Sequence, residues 1–221
     1  MEPIRVKLAT SGADEVEGQI VGGIPPSGRS HILRLWRPFI QACKEDDAKW
    51  PWRWIVAPTE GTIELALLRE GRMEGVMKLR RTSNCRELAN LGQTCCSVEY
   101  VAVAPWNRPP ATVAIWTEKQ RPADKDCGAE RAKPCGRLLF GAAMHLSKSF
   151  GHEGRLGWLA EPGAVPSYRE WFPEILGGKP DVNAGGYPWF EITSQMASHF
   201  LTEISGSSSH ELANRAIRGC V

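Results

Sequence analysis

Residues Ile4 to Thr10 alternate apolar and polar side chains ("IRVKLAT"), which is the two-residue period of a half-buried strand. The Gly/Pro-rich stretch from Gly12 to Gly28 then predicts a loop. Ile32, Leu35, Trp36, Phe39 and Cys43 recur at helical spacing after Ser30, a candidate cap, and Pro38 is expected to kink or break that helix. Thr62 to Leu68 and Gly75 to Arg80 read as two strands of a hairpin, with Gly71 supplying the turn. Ser97 to Ala104 ("SVEYVAVA") is strongly β-prone and stops at Pro105.

The polar, aperiodic region from Pro109 to Lys133 reads as a long insertion. After it, Leu139, Ala142, Ala143, Leu146 and Phe150 form one apolar stripe of a helix. Arg155 to Ala160 is a further strand, Ala164 to Trp171 a short helix, and Trp189 to Thr193 a last strand. The predicted order is therefore β, α, β, β, β, α, β, α, β. Residues 1–204 are expected to form one domain. From 205 a flexible "GSSS" joint leads to a short helix, with Ser208 and Glu211 placed as a capping box.

Composition narrows the function classes. The 27 basic residues are mixed with 25 acidic ones for a net charge of +2, so no strong phosphate-tracking face is implied and nucleic acid is unsupported as a partner. Seven irregularly spaced cysteines and an N-terminus lacking an apolar core point to a reducing cytoplasm. Every apolar run is interrupted before it reaches membrane-spanning length, so no membrane partner is expected.

Motifs for other chemistries are incomplete. "HEGRL" at His152 and "HELAN" at His210 begin like a zinc-protease helix, but Leu156 and Asn214 stand where the second histidine belongs. No paired C-x-x-C supports a structural zinc site, so no metal is expected. Neither a G-x-S-x-G elbow nor a G-x-G-x-x-G turn is present. The tryptophans, among them Trp36, Trp50, Trp52, Trp54, Trp106 and Trp116, are read as core and cleft lining.

Three short motifs in order carry a resemblance. Val103-Ala104-Pro105 with Arg108 closes a strand, Arg131-Ala132-Lys133-Pro134-Cys135-Gly136 opens a helix, and Ala164 to Tyr168 ("AVPSY") follows the next strand. Together they resemble the GNAT superfamily of acyl-CoA-dependent N-acyltransferases over roughly Ile63 to Phe190. That family's pyrophosphate loop reads Gln/Arg-x-x-Gly-x-Gly/Ala, and here Pro134 replaces its first glycine. About 25 residues separate strand from loop, and Glu161-Pro162-Gly163 stands where the family often has an Asn.

The resemblance implies an α/β fold with a mixed, mostly antiparallel central sheet flanked by helices. It implies an acetyl group moved from acetyl-CoA to an amine, with no metal. Helix N-terminal amides favour a pyrophosphate. Arg131, Cys135, Gly136 and Arg137 are accordingly expected at that cradle, and the main chain of Val101 and Val103 along the pantetheine arm and thioester. Tyr168 is the expected proton donor to the leaving thiolate. Glu99, placed by the two-residue period on the side of Val101 and Val103, is the candidate base. The acceptor, a small molecule, peptide or protein, is left open, as is a homodimer. It would be read by Trp50 to Trp54, the loop before the first helix and the insertion. The alternative is a catalytically degenerate binding module on the same scaffold.

Overall fold

The computed structural model describes residues 2–9, 15–42, 59–107, 134–181 and 185–207. Strands β1 (Ile4–Ala9) and β2 (Glu15–Gly22) pair antiparallel, and β2 lies inside the stretch expected to be a loop. Val16, Gly18 and Ile20 point inward on β2 between exposed Glu15, Glu17 and Gln19. Gly18 hides the alternation from a hydrophobicity count, yet it is required there: a Cβ would lie 2.8 Å from Leu8 Cδ1 and 3.2 Å from Leu68 O.

The first helical region begins earlier than Ser30 implies. Helix α1 (Pro26–His31) starts with proline at its first turn, a wide π turn covers Ile32–Trp36, and α2 (Arg37–Ala42) follows. Pro38 neither breaks nor ends the helix. Arg37 N–H bonds to Ile32 O across the wide turn, which locally resets the ladder just before the residue that has no N–H to give.

Strands β3 (Thr62–Arg69) and β4 (Arg72–Asn84) form the expected hairpin. Its two turn residues, Glu70 and Gly71, both have positive φ (50° and 77°), the requirement of a tight right-twisting hairpin. Strand β5 (Thr94–Val103) ends in a 3₁₀ turn, Pro105–Asn107, and the proposed insertion beyond it lies outside the described residues. Helix α3 (Cys135–Ser149), strand β6 (Leu156–Leu159) and helix α4 (Val165–Trp171) then follow as read. Strand β7 (Leu176–Pro180) is an addition, an edge strand whose sequence "LGGKP" has no β-forming run. Strand β8 (Pro188–Ile192) leads into α5 (Ser194–Ser207), also an addition. Thr193 Oγ1 accepts the Met196 amide at 3.2 Å, and Ala197, Phe200, Leu201 and Ile204 make its buried stripe. Residues from 208 lie outside the description.

The eight strands make one mixed, mostly antiparallel sheet in the order β1-β2-β3-β4-β5-β6-β8-β7, in which only the β5–β6 pair is parallel. Helices flank both faces. One core joins Leu65, Leu67, Met77, Leu79 and Val98 to α3, α4 and α5. The second joins Ala66, Val76 and Ala102 to Ile32, Trp36 and Ile40 of the first helical region. Among the described residues no helix is long and apolar enough to cross a membrane.

Candidate acyl-transfer site

The parallel contact between β5 and β6 is short. It comprises Cys96 with Leu156, Ser97 with Gly157 and Val98 with Trp158, after which β5 runs on to Val103 without a β6 partner. The pairing ends where β5 bulges: Leu79 faces Val98 and Lys78 faces Tyr100, leaving Glu99 unpaired in the ladder. Hydrogen bonds report the phase shift independently. Cys96 N–H points to Arg155 O beside β6 at 3.2 Å, whereas Ala104 N–H points to Glu74 O on β4 at 2.9 Å. In an unbroken strand both would point the same way, since they are an even number of residues apart. The bulge therefore turns the main chain of Val101 and Val103 toward the side that β6 has vacated.

The same bulge corrects the placement of Glu99. Its carboxylate pairs with Arg80 and lies 3.7 Å from Lys78 Nζ. Those residues alternate on β4 with Met77 and Leu79, which belong to the α3 core. Glu99 thus faces the side of α1 and α2, opposite Val101 and Val103, because the two-residue period fails across an inserted residue.

A buried carboxylate fixes the end of β5. Glu74 sits at a second irregularity, between the pairs Leu67–Gly75 and Leu68–Met73. It accepts Arg69 Nε (2.9 Å), Trp106 Nε1 (2.7 Å) and Asn107 Nδ2 (2.6 Å), while its main-chain oxygen holds Ala104. Asn107 Nδ2 also reaches Cys135 Sγ at 3.4 Å, tying the chain's exit from β5 to the start of α3. Trp106 is buried there beneath the Arg72 guanidinium, 3.9 Å from its ring. Burial pushes the Cys135 thiol well above its usual range and the Glu74 charge adds to this, so the side chain is a packed neutral thiol.

The start of α3 has no acidic residue in its first turn and no side-chain cap. Its own first turn therefore brings no carboxylate against its amides, the nearby charge being that of Glu74 beside Cys135. Gly136 lies in that turn under the Trp171 indole, and a Cβ there would sit 2.6 Å from Trp171 Cη2, so close packing by α4 already requires a glycine. Arg137 is turned toward α5, with Nη2 3.2 Å from Glu203 Oε2 and its guanidinium 5.1 Å from the Phe200 ring. Arg131, Arg108 and the segment from Trp50 to Trp54 lie outside the described residues.

Tyr168 packs at the point where the strands part. Its ring contacts Trp158, the last β6 residue paired to β5, with centroids 5.4 Å apart, as well as Phe140 and Trp171. Burial, with the Glu161 carboxylate as a lesser cause, pushes the phenol above its usual range, so it stays protonated. The buried Trp158 Nε1–H beside it has no hydrogen-bond partner among the described residues.

Sequence reasoning missed the bulge and the buried charges Glu64, Glu74 and Lys78. The available signal was a charged residue between apolar neighbours in "TIELALL", "RMEGV" and "GVMKLR".

No protein-family model matches the chain and no curated protein matches it in sequence. Solved structures are similar in chain course. One is a putative acetyltransferase of the GNAT family from Desulfovibrio desulfuricans (12% identity, 80% of this chain and 99% of that one, TM-score 0.47). Another is FeeM, an N-acyl amino acid synthase from uncultured soil microbes (12%, 80% and 92%, TM-score 0.48). A third is BjaI, a CoA-dependent acyl-homoserine lactone synthase with SAM and isopentyl-CoA (12%, 84% and 88%, TM-score 0.37). The sheet is mixed, its one parallel pair, β5–β6, is connected through α3, and β5 parts from β6 beyond it. The assignment of functional residues rests on the geometry of this chain.

Proposed function

We propose that the protein transfers an acyl group, acetyl in the simplest case, from acyl-CoA to an amine. The observation that carries this reading is the gap beyond Val98 and Trp158, where the bulge at Glu99 aims the main chain of Val101 away from β4. An extended pantetheine arm can add there as a strand does, and the first turn of α3 carries no acidic residue of its own. A main-chain donor directed at the developing oxyanion is worth about 3–4 kcal/mol.

The proton steps follow from chemistry. A free amine of pKa about 10.4 needs roughly 4–5 kcal/mol to lose its proton at pH 7, and Glu99 accepts that proton directly or through water. Its pairing with Arg80 and Lys78 orients it at the bulge. Tyr168 gives its proton to the departing thiolate. A buried phenol is a weak acid, so its contribution comes from position and from remaining protonated. At the cradle the main chain of Gly136 and Arg137 is assigned the pyrophosphate, with Arg131 adding charge and Cys135 contributing backbone only.

Titrating the protein with acetyl-CoA and a longer acyl-CoA in a calorimeter, then following thiol release with a panel of amines, tests the reading. Binding with amine-dependent thiol release is expected, and no binding of any acyl-CoA overturns it. The second reading is a scaffold that binds without turnover. Saturable binding without thiol release selects that one.

A further inference from the structure

On the sheet face beneath α1 and α2, one row of residues departs from its surroundings. Ala66, Val76 and Ala102 form an apolar row across β3, β4 and β5. The next row on the same face is Glu64, Lys78 and Tyr100, in direct register, with the bulged Glu99 beside Tyr100. Arg29 reaches the row from α1, and Arg80 stands one repeat further along β4, paired with Glu99. Burying charge in the middle of a sheet is costly, and such groups are ordinarily satisfied completely.

This row is not. Glu64 is 6% exposed, and its Oε2 accepts Arg29 Nη2 at 2.6 Å and the Ile24 amide at 3.4 Å, while its buried Oε1 has no partner among the described residues. Arg29 Nη1 is likewise buried and idle. Lys78, with its side chain 4% exposed, bonds Thr59 Oγ1 at 2.7 Å and stands 3.7 Å from Glu99 Oε2, longer than a hydrogen bond. Among the described residues of the row, Arg29, Lys78 and Arg80 face Glu64 and Glu99, three positive charges against two negative. Water could fill the idle positions but would leave the surplus positive charge. A carboxylate would balance that charge, and a group carrying both a donor and an acceptor would engage Arg29 Nη1 and Glu64 Oε1.

We infer that this row binds the acyl acceptor and that the acceptor is an α-amino acid with a polar side chain. The inference rests on the acyl-transfer reading for its chemistry and on the idle atoms for its location. Lys78 Nζ takes the acceptor's carboxylate and Glu99 its amine, two groups adjacent in any α-amino acid and matched to ends 3.7 Å apart. That places the amine at the bulge, beside the main chain that turns toward the gap. The acceptor's side chain runs along the row toward β3, where Arg29 Nη1 offers a donor and Glu64 Oε1 an acceptor. A carboxamide presents the complement of both. A polyamine brings only further positive charge, which the row disfavours.

The test measures affinity of the full chain for amino acids, their α-amides and putrescine, with acetyl-CoA affinity determined on the same samples. Glutamine or asparagine is expected to bind at least ten-fold tighter than its α-amide, with putrescine not binding. Lys78→Met should erase the difference between acid and amide. Arg29→Gln should reduce the preference for glutamine over methionine while acetyl-CoA affinity stays within two-fold. Equal affinity for acid and amide, or acid-selective binding unchanged in Lys78→Met, overturns the inference. Acetyl-CoA binding without any amino-acid binding also overturns it while leaving acyl transfer standing. Acid-selective amino-acid binding without acyl-CoA binding keeps the row as a site and removes the acyl-transfer reading instead.

Discussion

Glu191 and Glu64 are both buried carboxylates on strands of one sheet, and the structure treats them oppositely. Glu191, on β8, accepts the Arg86 and Glu87 amides, Trp189 Nε1 at 2.7 Å and Asn90 Nδ2 at 3.1 Å. Nearby, His152 bonds Thr94 Oγ1 at 2.8 Å through Nδ1 and the Arg81 carbonyl at 3.0 Å through Nε2. This is the region where β5 and β6 are still paired. At Glu64, on the face where the bulge redirects β5, one carboxylate oxygen and one guanidinium nitrogen of its partner are left over. The difference separates polar groups that close the fold from polar groups held ready for something else, and burial alone does not tell them apart.

The hardest blow to the closed region is Glu191→Ala. It strands two backbone amides, an indole N–H and an amide side chain at once, and unsatisfied buried donors cost about 1–3 kcal/mol each with partial relaxation. A loss of about 3–5 kcal/mol in urea denaturation is expected, with acetyl-CoA affinity unchanged in protein that remains folded. A loss under about 1 kcal/mol would erase the contrast on which the comparison stands.

Tyr168→Phe probes the junction between the two regions. The phenol lies against Trp158, where pairing ends, and general acid help is worth about 10² to 10⁴-fold. Turnover is expected to fall about 10² to 10³-fold, with acetyl-CoA affinity nearly constant. Full activity removes the acid role, and lost binding makes the residue part of the pocket wall.

Alkaline pH should weaken the closed region first. Burial pushes the Cys96 thiol up from 9.0 to about 11, partly opposed by a hydrogen bond with Ser147. A raised folded pKa means the unfolded chain releases its proton first. The contribution is therefore intact below pH 9 and is lost as pH rises from 9 through 11, by at most about 2–3 kcal/mol. Cys85, Cys95, Cys135 and Tyr168 are shifted in the same direction, also mainly by burial. Cys96→Ala should flatten part of the decline in denaturation midpoint over that window. An identical pH profile would assign the decline to the other four groups.

The elements that could be read in the chain are those whose local chemistry acts alone. The Glu70-Gly71 turn and the α3 stripe needed no knowledge of their neighbours. Strand β2 was hidden because Gly18 is inward-facing without being hydrophobic, a choice set by Leu8 and the Leu68 carbonyl across the sheet. Glu99 was assigned to the wrong face because a bulge is a property of pairing with β4, and its own strand gives no sign of it. Gly136 fits a phosphate loop in the sequence, yet the reason visible in the structure is Trp171, 35 residues later. The row of Glu64, Lys78 and Glu99 is assembled from three strands, so its members look like ordinary polar positions until register aligns them.

Glu64→Gln carries the smallest expected change in stability and tests the open side of the comparison. The carboxamide keeps an oxygen for Arg29 and the Ile24 amide, and the oxygen it converts to NH₂ had no donor to lose. What disappears is charge opposite Arg29, whose side chain is 20% exposed and retains some solvation. A stability change of about 1 kcal/mol is expected, several-fold below that of Glu191→Ala, because every existing hydrogen bond is kept. Binding should respond where stability does not. Replacing the idle acceptor by a donor should cost a carboxamide side chain about ten-fold in affinity, one hydrogen bond's worth of about 1.4 kcal/mol, and leave methionine unaffected. A stability loss as large as at Glu191 would mean that Oε1 is engaged in the folded protein, and the two carboxylates would then belong to one class.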